Sequence, residues 1–283
     1  MARRKAPALT HDDIMQASIR GDPVLRRRSE LLWEERTRPS RGPKAGRTAE
    51  QVVQAAVAIA DEEGLGAVTM HAVAARLELT TMALYRYFPS KESLYDAIVD
   101  AGLGPAPSLP SGGWRAQVSR WAHAKRAMLC SKPWLAELPF VASPHGPNWL
   151  SWLEALAAAL SPTGLGAADL GQMISVVDGY TRGASDTSIS LARTLARGGT
   201  EAEWAAAVGA DLGRAIGDPR FPCFTAILTA PPERRPRTME ESFDFGLQRV
   251  LDGIERYVEG QASAVPKRRP KARSAEAAGS PQR

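Results

Sequence analysis

Residues 47–104, RTAEQVVQAAVAIADEEGLGAVTMHAVAARLELTTMALYRYFPSKESLYDAIVDAGLG, carry four short helical patterns with a tight break between the second and the third. Thr48 and Gln51 have capping-box spacing, Val52, Ala56 and Ile59 recur at helical intervals, and Gly64 ends the segment. Thr69 caps a second run in which Val73 and Leu77 share one face. Only Glu78 and Leu79 separate that run from Thr80 and Thr81, which open a third helix. Two helices joined so closely must cross steeply, as in a helix-turn-helix, and DNA becomes the first partner to consider. The third helix, Thr81 to Phe88, buries Leu84 and Phe88 and leaves Thr81, Met82, Ala83, Tyr85, Arg86 and Tyr87 for a groove. Pro89 stops it. Ser90 caps a fourth helix lined by Leu94, Ala97, Ile98 and Ala101, and the prolines between Gly102 and Pro110 mark a domain boundary.

The spacing L-x-x-x-x-L-Y-x-Y-F-x-S-K-x-x-L over Leu79–Leu94, preceded by A-x-x-L at Ala74–Leu77, resembles the TetR/AcrR family of transcriptional regulators. The resemblance implies an all-α chain in which an N-terminal three-helix DNA-binding domain joins a larger helical bundle that binds a small-molecule effector and dimerises. It implies that Tyr85 and Lys91 hold backbone phosphates, and that Thr81, Met82, Ala83 and Arg86 face the bases. Tyr87 stands where many members carry histidine. Arg86 alone has the fork that contacts guanine bidentately, while Met82 and Ala83 suit thymine methyls. Arg47, Thr69 and Thr80 complete the candidate DNA-binding set. A homodimer on a palindromic operator, released by its effector, follows from the same resemblance. A nonspecific architectural DNA-binding protein and an all-α enzyme are the alternatives.

Charge complicates this. Between Ala49 and Leu103 the bases are Arg76, Arg86 and Lys91, against the acids Glu50, Asp61, Glu62, Glu63, Glu78, Glu92, Asp96 and Asp100. The reader is net negative by itself. Residues 1–48 hold 12 Lys or Arg against 6 Asp or Glu, and residues 261–283 hold 6 against 1, so the net +5 sits at the ends. Counterion release requires cations near phosphate, which makes Arg36–Arg47 a candidate basic arm, with Arg41 and Lys44 narrow enough in context for a minor groove. The domain expectation is therefore an extension and arm over 1–46, the reader over 47–104, a ligand-binding and dimerisation body over 111–259 and a disordered basic tail over 261–283. Thr10–Arg20 and Pro23–Glu35 read as short helices within the extension.

The 283 residues suffice for a sizeable core. Cys130 and Cys223 suggest buried free thiols rather than a disulfide framework. His11, His71, His123 and His145 lack metal-ligand spacing, and no nucleotide-loop or zinc-protease motif occurs, so no catalytic residue, cofactor or metal is expected. No apolar run approaches membrane-spanning length, and a cytoplasmic location with no membrane partner is expected.

Beyond the boundary, helical patterns cover Trp114–Leu129, Pro147–Leu160, Ala167–Arg197, Thr200–Ile216, Phe221–Leu228 and Met239–Val258, with Pro231–Arg237 as a loop. Pro147–Leu160 is apolar enough to demand burial, and Trp204, Val208 and Leu212 should anchor the helix after Thr200. Tryptophans crowd the early part of this region, and large aromatics line apolar ligand sites as well as cores. Trp121, Met128, Trp134, Trp149, Trp152, Met173, Val177 and Tyr180 are the pocket candidates. Gly179 and Gly183 would permit close helix approach or a bend. In the last helix Phe243, Leu247, Val250 and Ile254 form a near-heptad stripe, which wants a helical partner. With Gly183 and Leu191, these are the dimer-interface candidates.

Overall fold

The computed structural model describes residues 23–33, 47–137, 145–231 and 237–264, and among them every regular element is helical. The Thr10–Arg20 pattern, Arg41 and Lys44 of the arm, most of the Pro231–Arg237 loop and the C-terminal tail beyond Ala264 lie outside the described residues; Gln261–Ala264, expected to open that tail, instead continue the last helix. The helices are α1 (Pro23–Trp33), α2 (Ala49–Glu63), α3 (Met70–Arg76), α4 (Thr81–Tyr85), α5 (Lys91–Leu103), α6 (Trp114–Ser131), α7 (Pro147–Leu160), α8 (Ala167–Ala196), α9 (Glu201–Gly213), α10 (Pro222–Thr229) and α11 (Met239–Ala264).

Local chemistry sets the reader's boundaries. Thr48 accepts from the Gln51 amide while the Gln51 side chain accepts from Thr48, and Ser90 and Ser93 form the same reciprocal pair at α5. Between α3 and α4, Glu78 takes the left-handed φ of 57°. Its N–H donates to the Ala75 carbonyl at 3.1 Å and Leu79 N–H to Ala74 at 2.9 Å, the paired bonds of a Schellman end. A glycine ordinarily fills that position; here a glutamate carries the strain.

A first core joins α2, α3, α4 and α5 through Val52, Ala56, Val73, Leu84, Phe88, Leu94 and Ile98, all buried. It does not stop at the domain boundary, for Leu129, Trp134, Leu135 and Ile189 belong to it. A second core gathers Val118, Trp121, Trp152, Leu156, Leu160, Val177, Phe243, Leu247, Leu251 and Ile254 from α6, α7, α8 and α11. Gly246 makes its tightest crossing possible: a Cβ there would lie 2.3 Å from the Tyr180 hydroxyl oxygen. Gly179 and Gly183, expected to serve close approach, have nothing within 4 Å of such a position.

Two expectations about burial are corrected. α7 is only half buried, with Leu150 42% exposed, because one face meets α6 and α8 and the other meets solvent. α9 and α10 bury no residue at all, and Val208, Leu212, Ile216, Phe221, Phe224 and Ile227 stand exposed.

Candidate nucleic-acid interface and the body that carries it

Burial of Leu84 and Phe88 turns the opposite face of α4 outward. Met82 is 76% exposed and Tyr85 42%, Thr80, Arg86 and Lys91 are exposed, and Thr81 and Ala83 are half-buried. The α-helix proper ends at Tyr85, yet Phe88 N–H still donates to the Leu84 carbonyl at 3.1 Å, so the turn through Arg86 and Tyr87 remains helical in its bonding. Thr69 and Thr80 are caps: each hydroxyl oxygen accepts a backbone N–H, from Ala72 at 3.0 Å and Ala83 at 3.1 Å. Capping uses a lone pair and leaves each hydroxyl proton available to a phosphate. Lys91 lies 4.9 Å from the Tyr95 ring centroid.

Tyr87 differs from its expected use. Its hydroxyl donates to the Arg47 carbonyl at 2.7 Å, and its half-buried ring packs on the first core. A phenol has one proton, so this group positions the chain leaving the arm instead of donating to phosphate. Arg47 itself is exposed beside it.

The acidic excess is partly answered by partners that spacing within the reader does not disclose. Arg76 holds Glu62 with two bonds of 2.7 and 2.6 Å, and the Arg76 guanidinium keeps that carboxyl below its ordinary range. Asp61 accepts from Lys132 Nζ and Trp134 Nε1, both at 2.7 Å. Asp96, buried on the inner face of α5, is held by Arg28 of α1 through two bonds of 2.6 Å. Asp100 accepts from the Trp149 and Asn148 amides at 3.0 and 3.3 Å. Asp61, Glu62, Asp96 and Asp100 are thus held, three of them from outside the reader.

Asp100 performs a specific task. α7 starts at Gly146, which has no side chain with which to cap, and a Cβ there would lie 2.3 Å from the Asp100 Cγ. The carboxylate of α5 therefore occupies the place of a cap side chain, against the positive end of α7. Trp152 Nε1 donates to the Gly104 carbonyl at 3.0 Å, and Ala106 N–H to Ser151 Oγ at 3.0 Å. α1 reaches the same seam, since Trp33 Nε1 donates to the His145 carbonyl at 3.1 Å and the His145 ring lies 3.7 Å from that of Trp149.

The pocket and dimer candidates fall in different places in the body. Trp121 and Trp152 meet edge-on at 5.9 Å, and Trp121 Nε1 donates to the Trp152 carbonyl at 2.8 Å. These two and Val177 are packed core, Trp134 and Trp149 belong to the seam with the reader, and Met128 and Met173 are half-buried against the cores. Tyr180 donates its hydroxyl to the Phe243 carbonyl at 2.6 Å, fixing α8 to α11. Two surface recesses, of about 360 and 410 Å³, contain none of the eight candidates; one is walled by Ala184, Ser188 and Phe243, the other by Leu150, Leu153, Ala157 and Ile174. Phe243, Leu247 and Ile254 are at most 3% exposed within their own subunit, because the stripe on α11 finds its helical partner in α8. They are unavailable to a second copy. Val250 and Leu191 are half-buried, and Gly183 is exposed. Both cysteines are free, but Cys223 is exposed rather than buried. No helix among the described residues is long and apolar enough to cross a membrane.

Spacing missed Lys125, a lysine only 3% exposed in the second core. Its signal was faint: it lies four residues after Trp121, on the same helical face.

Comparison with known proteins agrees with this architecture. Residues 52–98 match the model described as bacterial regulatory proteins, tetR family, and residues 106–258 match the tetracyclin repressor-like C-terminal domain. The HTH-type transcriptional repressor DrrR1 of Streptomyces coeruleorubidus is 36% identical over 241 residues, covering 83% of this chain and 87% of that protein. A possible TetR family regulator from Streptomyces coelicolor A3(2) shares the fold with a TM-score of 0.56 and 26% identity, over 74% of this chain and 99% of that one. Apo ActR from Streptomyces coelicolor superposes with a TM-score of 0.61 at 22% identity, over 77% and 99%, and is a likeness of fold. With both halves matched and their geometry in agreement, the chain belongs to the tetR family of DNA-binding transcriptional regulators.

Proposed function

We propose that the protein is a homodimeric repressor that grips a palindromic operator with two copies of α4 and is released when an effector binds its body. The observation that carries the reading is the outward face of α4: Tyr85, Arg86 and Lys91 are exposed beside two capping threonines, while Asp61, Glu62, Asp96 and Asp100 are held by partners away from that face. In this reading Tyr85, Lys91, Thr69, Thr80 and Arg47 contact phosphates, Thr81, Met82, Ala83 and Arg86 face base edges, and Arg41 and Lys44 reach a minor groove. Repression is supported by the relative DrrR1, whose name records it, and effector control by ActR, crystallised with actinorhodin.

Dimerisation is supported by what the subunit leaves uncovered. α9 and α10 are 13 and 8 residues long and bury nothing. Helices this short are marginal without a packing surface. Val208 and Leu212 on α9 and Phe224 and Ile227 on α10 are exposed apolar side chains of the kind an interface covers. A second copy is the occupant we assign, with the bare outer side of α8 at Gly179 and Gly183 beside it.

Footprinting on DNA upstream of the protein's own gene tests this. Two protected half-sites about 34 Å apart are expected. Arg86→Ala should cost roughly 1–3 kcal/mol of discrimination at one position of each half-site. Uniform protection with no Arg86 effect would favour the architectural alternative, and a monomer at micromolar concentration by sedimentation would remove the dimer.

A further inference from the structure

Where α6 faces the first turns of α11, three metal-ligating side chains converge. His123 Nε2 lies 2.7 Å from Asp244 Oδ1 and 3.4 Å from Glu240 Oε1, and the three ligand atoms all lie within 4.8 Å of one another. Glu240 and Asp244 are one helical turn apart and so share a face of α11.

The other ring nitrogen decides what Nε2 must meet. Nδ1 is 2.8 Å from the Ser119 carbonyl oxygen, which accepts and cannot donate, so Nδ1 carries the ring proton. In the neutral imidazole Nε2 is then a bare lone pair facing two carboxylate oxygens. Three acceptors with no proton among them repel, and the gap between them calls for a cation, either a second ring proton or a metal ion. The surroundings are those that orient metal ligands: a ligating histidine gives its other N–H to an acceptor such as a backbone carbonyl, and a ligating carboxylate is itself hydrogen-bonded. Arg126 supplies the second of these. It grips Glu240 Oε2, leaves Oε1 toward His123, and is tied in turn to Ser188 Oγ at 3.0 Å. The Phe243 ring meets the imidazole edge-on at 5.3 Å and fixes its plane.

Dimensions and charge agree with zinc. Bonds of ~2.0–2.1 Å in a tetrahedral array separate ligand atoms by ~3.3 Å, so Glu240 Oε1 already stands at the right distance from Nε2 and Asp244 Oδ1 has to withdraw by roughly 0.6 Å. The Glu240 and Asp244 side chains are 55% and 48% exposed, which gives them room for that move and leaves a fourth position to water. Their two charges outweigh the single charge of Arg126. One imidazole nitrogen with two carboxylates suits zinc and its first-row neighbours, whereas magnesium prefers an octahedron of oxygens.

We propose that His123, Glu240 and Asp244 bind one zinc-class divalent cation per subunit and staple α6 to the start of α11. The site uses no residue of the α4 face, so it stands or falls apart from the operator reading.

The test uses the full-length protein, stripped with a chelator and dialysed, and titrated with zinc chloride by calorimetry. One zinc ion per subunit is expected, with magnesium in excess failing to compete. His123→Gln and Asp244→Asn should each weaken zinc binding at least about tenfold, since even the partners of metal ligands are worth that much. Excess zinc should raise the thermal midpoint of the wild type and of neither variant. Asp244→Asn, at a half-exposed side chain, carries the test if His123→Gln fails to fold. A Cys130→Ser, Cys223→Ser double variant should bind zinc as the wild type does. The site is overturned by a wild type that shows no saturable zinc binding, by zinc affinity undiminished in either ligand variant, or by binding that is lost with the two thiols.

Discussion

Asp100 stands where a helix cap would, and its environment pulls its titration two ways. Burial raises its pKa above the ordinary 3.8, outweighing the Trp149 and Asn148 N–H groups, which favour the carboxylate. A raised pKa means that the folded state holds its proton more tightly than the unfolded chain. The stability this confers is full below the unfolded value, falls as pH rises from near 4 through the folded value, and is flat beyond. Asp100→Asn removes that dependence while keeping one acceptor for the α7 amides. Thermal unfolding from pH 4 to 7 should therefore give a wild-type advantage over the variant that shrinks with rising pH. An advantage that grows with pH would mean that the amide bonds dominate and that the assigned cause is wrong.

At the scale of elements, α1 is the addition that most changes the reader. Arg28 and Asp96 are separated by 68 residues in sequence, yet their side chains are 16% and 1% exposed and meet through two short bonds. Breaking one side of a buried pair strands the other, at about 3–5 kcal/mol. Arg28→Ala should destabilise by about that amount in chemical denaturation, and Asp96→Asn in the same chain should recover most of it. Independent, additive losses would show that the pair is not coupled. This contact also marks where sequence ran out. The Thr48–Gln51 box, the Ser90 cap and the buried pair Leu84 and Phe88 were legible because each depends on residues at most four apart. The near-heptad stripe of α11 announced a helical partner but not whose. Periodicity encodes an apolar face, and only the tertiary crossing at Gly246 decides that α8 of the same subunit covers it. Trp121 and Trp152 were legible as large apolar groups; that a lysine ammonium lies over both rings was not, since long-range packing puts Trp152 there.

The whole molecule must solve an electrostatic problem: a reader that is acidic in sequence has to approach a polyanion. The described part of the solution is internal, with Arg28, Arg76 and Lys132 each taking up a carboxylate of the reader. Those cations are consequently committed, and Arg47, Arg86 and Lys91 remain on the exposed side. Three such cations among the described residues of the reader make a thin footprint for an operator-binding protein, and the basic arm is the nearest further source of positive charge in the sequence. Deleting residues 1–45 would be a poor test, because it removes Arg28 and uncovers Asp96 along with the arm. Arg41→Gln with Lys44→Gln leaves α1 intact. Each phosphate contact contributes ~0.9 to the slope of log affinity against log salt, so losing two per subunit should flatten the slope by about 2 for a monomer and about 4 for a dimer. Measured between 50 and 200 mM salt, an unchanged slope would place the arm away from DNA, while the size of any change counts the subunits on the operator independently of sedimentation.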